Sequence, residues 1–119
     1  MARYEHLPLY RKAFGLLVYL ETAVAGFSKA HRFGLGQDLR ALARRIVLRE
    51  VRANASPARA RELVDLEIEE LLLLVRVAKE VRALSGLAAY EHCVNEIIEM
   101  AKQNEGWLRS AVVRPESRP

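Results

Sequence analysis

The chain has little of several features that mark common protein classes. One cysteine among 119 residues excludes an internal disulfide and a zinc site built from several thiolates, and favours a reducing compartment. No uncharged run reaches the ~18 to 20 residues of a membrane span, and the charged N-terminus lacks the apolar stretch of a signal peptide. Aromatic residues make up only 7%, with six glycines and four prolines. This balance favours helices over a β-sandwich, and we expect a cytoplasmic protein.

Apolar residues recur at spacings of three, four and seven through four segments, which predicts four helices at about 7–26, 34–54, 57–84 and 87–110. Alternation of period two is absent, so no strand is expected. The Ser56-Pro57 pair is typical of a helix start, and Ser85-Gly86 separates the third helix from the fourth. Between the first two helices, Ser28 to Gly36 is expected to form a loop or a weak helix start. The sequence therefore predicts an all-α, antiparallel up-down four-helix bundle over residues 1–113, with a frayed polar tail at 114–119.

The third helix is apolar on two opposite sides. One side is formed by Val64, Ile68, Leu71, Leu72, Val75 and Ala78. The other side is formed by Leu63, Leu66, Leu74, Val77, Val81 and Leu84. A four-helix bundle of this length buries one stripe per helix, so the second stripe predicts contact with other copies of the chain. The alternative is that this helix is the most central one of a monomer.

Positive charge is concentrated in and around the second helix. The net charge is +4, yet the segment 27–61 alone holds nine basic and two acidic residues. On the helix itself, Arg45, Arg49 and Arg52 share one face, while Arg40 and Arg44 project from another side. Three guanidinium groups in a row can contact phosphates or an acidic protein surface. Alternatively, they form salt bridges between subunits with the acidic start of the third helix. No aromatic residue lies among these arginines, so base stacking on this face is not expected.

The residue patterns of catalytic and metal sites are missing. Di-metal bundles use Glu-x-x-His pairs, and no Asp or Glu here has a histidine three residues later. Glu21 and Glu50 fall within the apolar arcs of their helices and are expected to pair with arginines or to lie at a subunit boundary. Cys93 is expected to be an inert core thiol. The remaining candidates are surface or loop histidines, namely His6, His31 and His92. We therefore expect no enzymatic activity, no metal and no cofactor.

Several stretches of the sequence stand in an order and at separations seen in a known family. These are Arg32-Phe33-Gly34-Leu35-Gly36-Gln37, the run 74–85 (LVRVAKEVRALS), Tyr90-Glu91, and Gly106-Trp107-Leu108-Arg109-Ser110. Together they resemble the accessory variability determinant (Avd) of diversity-generating retroelements. The N-terminal Tyr4-Glu5-His6-Leu7-Pro8-Leu9-Tyr10 more distantly resembles the four-helix proteins encoded in 23S ribosomal RNA intervening sequences.

The resemblance to Avd implies a ring-shaped homopentamer that binds the retroelement's reverse transcriptase and nucleic acid, either template RNA or complementary DNA. In that family the accessory protein does no chemistry and supports mutagenic reverse transcription and retrohoming. The basic residues within or beside the matching stretches are Arg32, Arg76, Lys79, Arg82 and Arg109. Resemblance to the second family implies instead a four-helix scaffold protein without a polymerase partner.

Overall fold

The computed structural model of the chain describes residues 8–52 and 57–113, with side chains at 8–52 and 62–104. These residues form four long helices and no strand: α1 (Pro8–Ala25), α2 (Gln37–Val51), α3 (Pro57–Glu80) and α4 (Leu87–Val113). The predicted all-α fold is confirmed. None of the described helices combines the length and apolarity that crossing a membrane requires.

Each long helix packs mainly against two others, in the cyclic order α1, α2, α3, α4. Two contacts between α1 and α4 show that these helices are antiparallel: Lys12 pairs with Glu96, and the ring of Tyr19 lies 4.4 Å from that of His92. The C-terminus of α1 therefore lies at the same end of the bundle as the N-terminus of α4. We call this the loop end, because it holds both the α1–α2 connection (26–36) and the α3–α4 connection (81–86).

The core is built from one apolar stripe of each long helix. Each helix contributes side chains that are at most 4% exposed: Leu9, Leu16 and Leu20 from α1, Leu39, Leu42 and Ile46 from α2, Val64, Leu71 and Val75 from α3, and Cys93, Ile97 and Met100 from α4. Burial of these side chains supplies the main favourable free energy of folding, at about 1.5 to 3 kcal/mol for each large one.

The α1–α2 connection is helical for most of its length. Lys29–His31 forms one helical turn, and Arg32–Gly36 forms a π-helical segment that runs into α2 without a break. Phe27 anchors the connection in the core. The sequence left open whether this stretch is a loop or a helix start, and the structure shows a helix start. Its helical residues begin at Lys29, before the helix start at about residue 34 that the apolar spacing predicts.

Helix α3 ends at Glu80, four residues before the predicted end, because the chain reverses at Arg82. Arg82 adopts a left-handed conformation, with φ of 62°. Its amide donates to the carbonyl of Lys79 at 3.0 Å, and the amide of Ala83 donates to that of Ala78 at 2.8 Å. This is the hydrogen-bond pattern of a Schellman C-cap, with arginine at the position that glycine usually occupies.

Candidate nucleic-acid interface

The arginines of α2 lie on the side of the helix that faces away from the core. We call Arg40, Arg44, Arg45, Arg49 and Arg52 the arginine face. The opposite side of α2 is buried between α1 and α3, so its outer side lies along two grooves, one against each neighbour. A carboxylate from the neighbouring helix stands in each groove and determines where the guanidinium groups are held.

Glu21 of α1 binds two arginines at once. Its Oε1 accepts from Arg40 Nη1 at 3.2 Å, and its Oε2 accepts from Arg44 Nη2 at 2.6 Å. The hydrogen bond from Arg44, reinforced by the one from Arg40, lowers the pKa of the Glu21 carboxyl below its usual value. Glu21 is therefore ionised at neutral pH, and the prediction that it pairs with arginine is confirmed.

Glu67 of α3 plays the equivalent part on the other side of α2. Its Oε1 accepts from Arg49 Nε at 2.7 Å, and Arg45 Nε lies 3.6 Å from its Oε2. The carboxylate is 11% exposed, whereas the Arg45 side chain is 50% exposed. Glu67 belongs to the acidic first half of the third helix, as one reading of the sequence required. The pairs described here join α2 to α3 of the same chain.

Positive charge remains in excess after this pairing. Two carboxylates hold four guanidinium groups, and Arg52 is exposed with no partner among the described residues. The outer arginine of each pair, Arg44 or Arg45, is half exposed. A second anion such as a phosphate can therefore reach it without displacing the carboxylate.

The basic residues that the family resemblance indicates lie elsewhere, at or near the loop end. Arg32 is half-buried and its Nη2 donates to the carbonyl of Phe27 at 3.3 Å. Arg76 is exposed on α3, and Lys79 Nζ lies 4.9 Å from the centroid of the Tyr90 ring. Arg82 is exposed at the reversal of the chain. The side chain of Arg109 lies outside the described residues.

The predicted subunit-contact residues divide into two groups. Leu66, Val77 and Val81 are 39–62% exposed, and Leu73, which the sequence analysis did not assign to this side, is 59% exposed. We call these four residues the α3 apolar face. Leu63 and Leu74 are half-buried at its edge.

Leu84 does not belong to the α3 apolar face. It lies beyond the end of the helix, and the reversal at Arg82 turns it into the core, where it is 8% exposed. The prediction for Leu84 is wrong because it assumed that helical geometry continues to residue 84.

No cluster of metal-binding side chains forms among the described residues. They contain no group of three or more His, Cys, Asp or Glu side chains that could hold a metal ion. His92 is exposed and packs on Tyr19, His31 is half-buried at the loop end, and His6 lies outside the described residues. Glu50 is buried at the end of α2.

Two features of this surface escaped sequence reasoning. The sequence indicated Glu67 only as one of several acids in the first half of its helix. Its pairing with Arg45 and Arg49 could not be predicted, because contacts between helices depend on their relative height and rotation. The sequence indicated Phe33 only as a member of the stretch 32–37 that resembles Avd. Its exposure, 66%, is visible only once the π-helical segment is in place. An apolar residue between glycine and arginine at a helix start was the available signal.

Comparison with known proteins adds no relative to this description. No protein-family model, curated protein or solved structure matches the chain.

Proposed function

We propose that this chain is a non-catalytic, oligomeric accessory protein that binds nucleic acid and a retroelement reverse transcriptase. The observation that carries the proposal is the arginine face, where Glu21 and Glu67 each hold two guanidinium groups in place and leave a positive excess. Template RNA and complementary DNA are the nucleic acids expected to bind.

The ion pairs prepare the arginines for phosphate binding. A freely rotating arginine side chain loses rotamer entropy when it binds a phosphate. The ion pairs already restrict these side chains in the folded chain, so less entropy is lost on binding. Guanidinium groups also match the paired oxygens of a phosphate. Contacts of this kind do not read bases, so binding should be independent of sequence and sensitive to salt.

The α3 apolar face supports self-association. Its four exposed apolar side chains fall on one side of α3 and the residue that follows it, with exposed Glu69 and Glu70 between Leu66 and Leu73. Exposed apolar residues grouped on one side mark an interaction surface more often than singly scattered ones do. Copies arranged in a ring, five of them if the resemblance to Avd holds, would multiply the positive field of the arginine face.

The polymerase partner rests on the resemblance of the sequence to Avd. The second candidate is a four-helix scaffold protein of the ribosomal intervening-sequence type without a polymerase, which the N-terminal pattern favours. A reverse transcriptase gene and a pair of near-identical repeats beside the gene for this chain would support the first candidate.

A gel-shift titration with RNA at about 0.1 M salt tests the arginine face. The variant Arg44→Gln, Arg45→Gln, Arg52→Gln removes the three most accessible charges and keeps Arg40 and Arg49 on their carboxylates. We expect weaker binding and a reduced dependence of the binding constant on salt. The matched control removes the same charge from α1 and α4 through Arg11→Gln, Lys12→Gln, Lys102→Gln. Equal binding by both variants would contradict the proposed face.

Co-purification with the reverse transcriptase encoded nearby tests the partner. The expected result is a complex that survives size-exclusion chromatography after nuclease treatment. Binding of RNA with no association of the polymerase would favour the scaffold candidate.

A further inference from the structure

Phe33 is the most exposed large apolar side chain among the described residues, at 66%. It lies in the π-helical segment at the loop end, and such segments occur frequently at functional sites. Gly34 follows it, and a side chain added at Gly34 would meet open space. With 66% of its surface exposed, the Phe33 ring is accessible to a flat ligand.

Cations surround Phe33 without a neighbouring carboxylate in the same segment. Residues 26–37 hold Lys29 and Arg32 and no acidic residue, and Asp38 is the first acid that follows. Arg32 is turned back to the carbonyl of Phe27. Lys29 is exposed, has no partner among the described residues, and precedes Phe33 by one helical turn, which places the two side chains side by side.

Phe33 also differs from the other exposed apolar residues in its surroundings. Leu66, Leu73 and Val77 share one side of α3, as expected for a contact between protein surfaces. Phe33 lies on the α1–α2 connection at the loop end, one helical turn after Lys29. An aromatic ring next to a free ammonium group matches the two parts of one nucleotide, a flat base and a phosphate.

We propose that the loop end binds an unpaired nucleotide, with its base stacked on Phe33 and a phosphate contacted by Lys29. This inference rests on the proposed binding of nucleic acid. It adds that the loop end recognises single-stranded nucleic acid. Bases within a duplex have no free face to offer, so the loop end selects single strands over duplexes. Stacking accepts any base, so the preference is for strandedness and not for sequence.

The test compares a labelled, unstructured single-stranded RNA with a duplex of the same length. Phe33→Leu removes the ring and keeps an apolar side chain, Phe33→Tyr keeps the ring, and Ile98→Ala is the matched control. Ile98 is also exposed, at 42%, but lies on α4, outside the loop end. Circular dichroism of each variant checks the fold, which an exposed position should leave unchanged.

We expect Phe33→Leu to weaken binding of the single strand about tenfold and to leave duplex binding unchanged. Phe33→Tyr and Ile98→Ala should bind as the native chain does. Lys29→Gln should weaken single-strand binding and lower its salt dependence by roughly one phosphate contact.

Two results would overturn this inference while leaving the proposed function intact. The first is native binding of RNA that Phe33→Leu does not change. The second is a loss of polymerase association in Phe33→Leu with RNA binding unchanged, which would assign this end to a protein partner. Failure of the native chain to bind either RNA would instead refute the proposed nucleic-acid function itself.

Discussion

Cys93 is a fully buried thiol, and its burial determines its chemistry. Loss of hydration raises the pKa of Cys93 from 9.0 to about 11. The thiol is therefore protonated at neutral pH and cannot act as a nucleophile, as the sequence analysis expected for an inert core cysteine. Its resistance to a thiol reagent at pH 8, compared with rapid reaction in denaturant, is a direct measure of this burial.

The same pKa shift predicts how stability depends on pH. The pKa of Cys93 is higher in the folded state than in the unfolded state. The stability that the protonated thiol contributes is therefore complete below about pH 9 and is lost as the pH rises towards 11. The native chain should lose about 1.4 kcal/mol more than Cys93→Ala between pH 8 and pH 10. Urea denaturation of both proteins at the two pH values measures the difference. Parallel losses would show that the thiol ionises as easily in the folded state as in the unfolded one.

Arg82 holds a backbone conformation that is costly for any residue with a Cβ atom, since its φ is 62°. Glycine avoids that cost, so we expect Arg82→Gly to raise the free energy of unfolding by up to about 1 kcal/mol. Arg82→Ala removes the side chain without relieving the strain and should give no such gain. If Arg82 contacts nucleic acid, both variants bind RNA more weakly, although only the glycine variant is more stable. Urea denaturation and the gel shift together separate the two effects.

At the scale of helices, Gly36 lets α1 and α2 approach closely. A Cβ atom at Gly36 would lie within hard contact of Cγ1 of Val24, a fully buried and stiff β-branched side chain. Gly36→Ala should therefore lower the free energy of unfolding by about 1 to 3 kcal/mol. Gly15→Ala is the control within α1, where added atoms meet open space, and should raise it by about 0.5 to 1 kcal/mol. Thermal denaturation distinguishes these opposite signs.

Glu67 links α2 to α3 and at the same time limits the charge of the arginine face. Glu67→Gln should cost about 1 to 2 kcal/mol of stability, because Arg49 loses a charged hydrogen bond of 2.7 Å in a mostly buried setting. The same change removes the carboxylate that holds Arg45 and Arg49 in position, so RNA affinity should fall although one negative charge is lost. Measuring both quantities is decisive, because a merely structural role for Glu67 would lower stability and leave affinity unchanged. The comparison variant is Glu62→Gln, an exposed acid of the same helix.

Sequence periodicity could predict the helices and the buried stripe of α3, because those depend on spacing along one helix. It could not predict the partner of Arg49, since that contact requires the height and rotation of α3 relative to α2. It also could not predict which side of α1 is buried, where Phe14 and Val18 are exposed although they are apolar. Leu84 was misplaced because the left-handed conformation of Arg82 leaves no signature when the residue is arginine.

For the whole molecule, self-association is the property on which the proposed function depends most. The chain of 13.5 kDa should sediment at micromolar concentration as a multiple of that mass, and as five copies if the resemblance to Avd holds. Leu66→Gln with Leu73→Gln removes two exposed leucines from the α3 apolar face and should yield folded chains of lower mass. Leu87→Gln with Ile98→Gln removes comparable apolar groups from α4 and should leave the mass unchanged.

A ring imposes a further requirement, because head-to-tail contacts need two different faces on each copy. The α3 apolar face is one. The exposed stripe of α1 is the natural second, since α1 lies diagonally across the bundle from α3 and presents Phe14 and Val18 at 46% and 52% exposure. Phe14→Gln with Val18→Gln should therefore dissociate the assembly as the α3 variant does, and mixing the two variants should restore only dimers, through the one intact pair of faces. Sedimentation of the mixture as full-size rings, or of the native chain as monomers, would contradict this assembly.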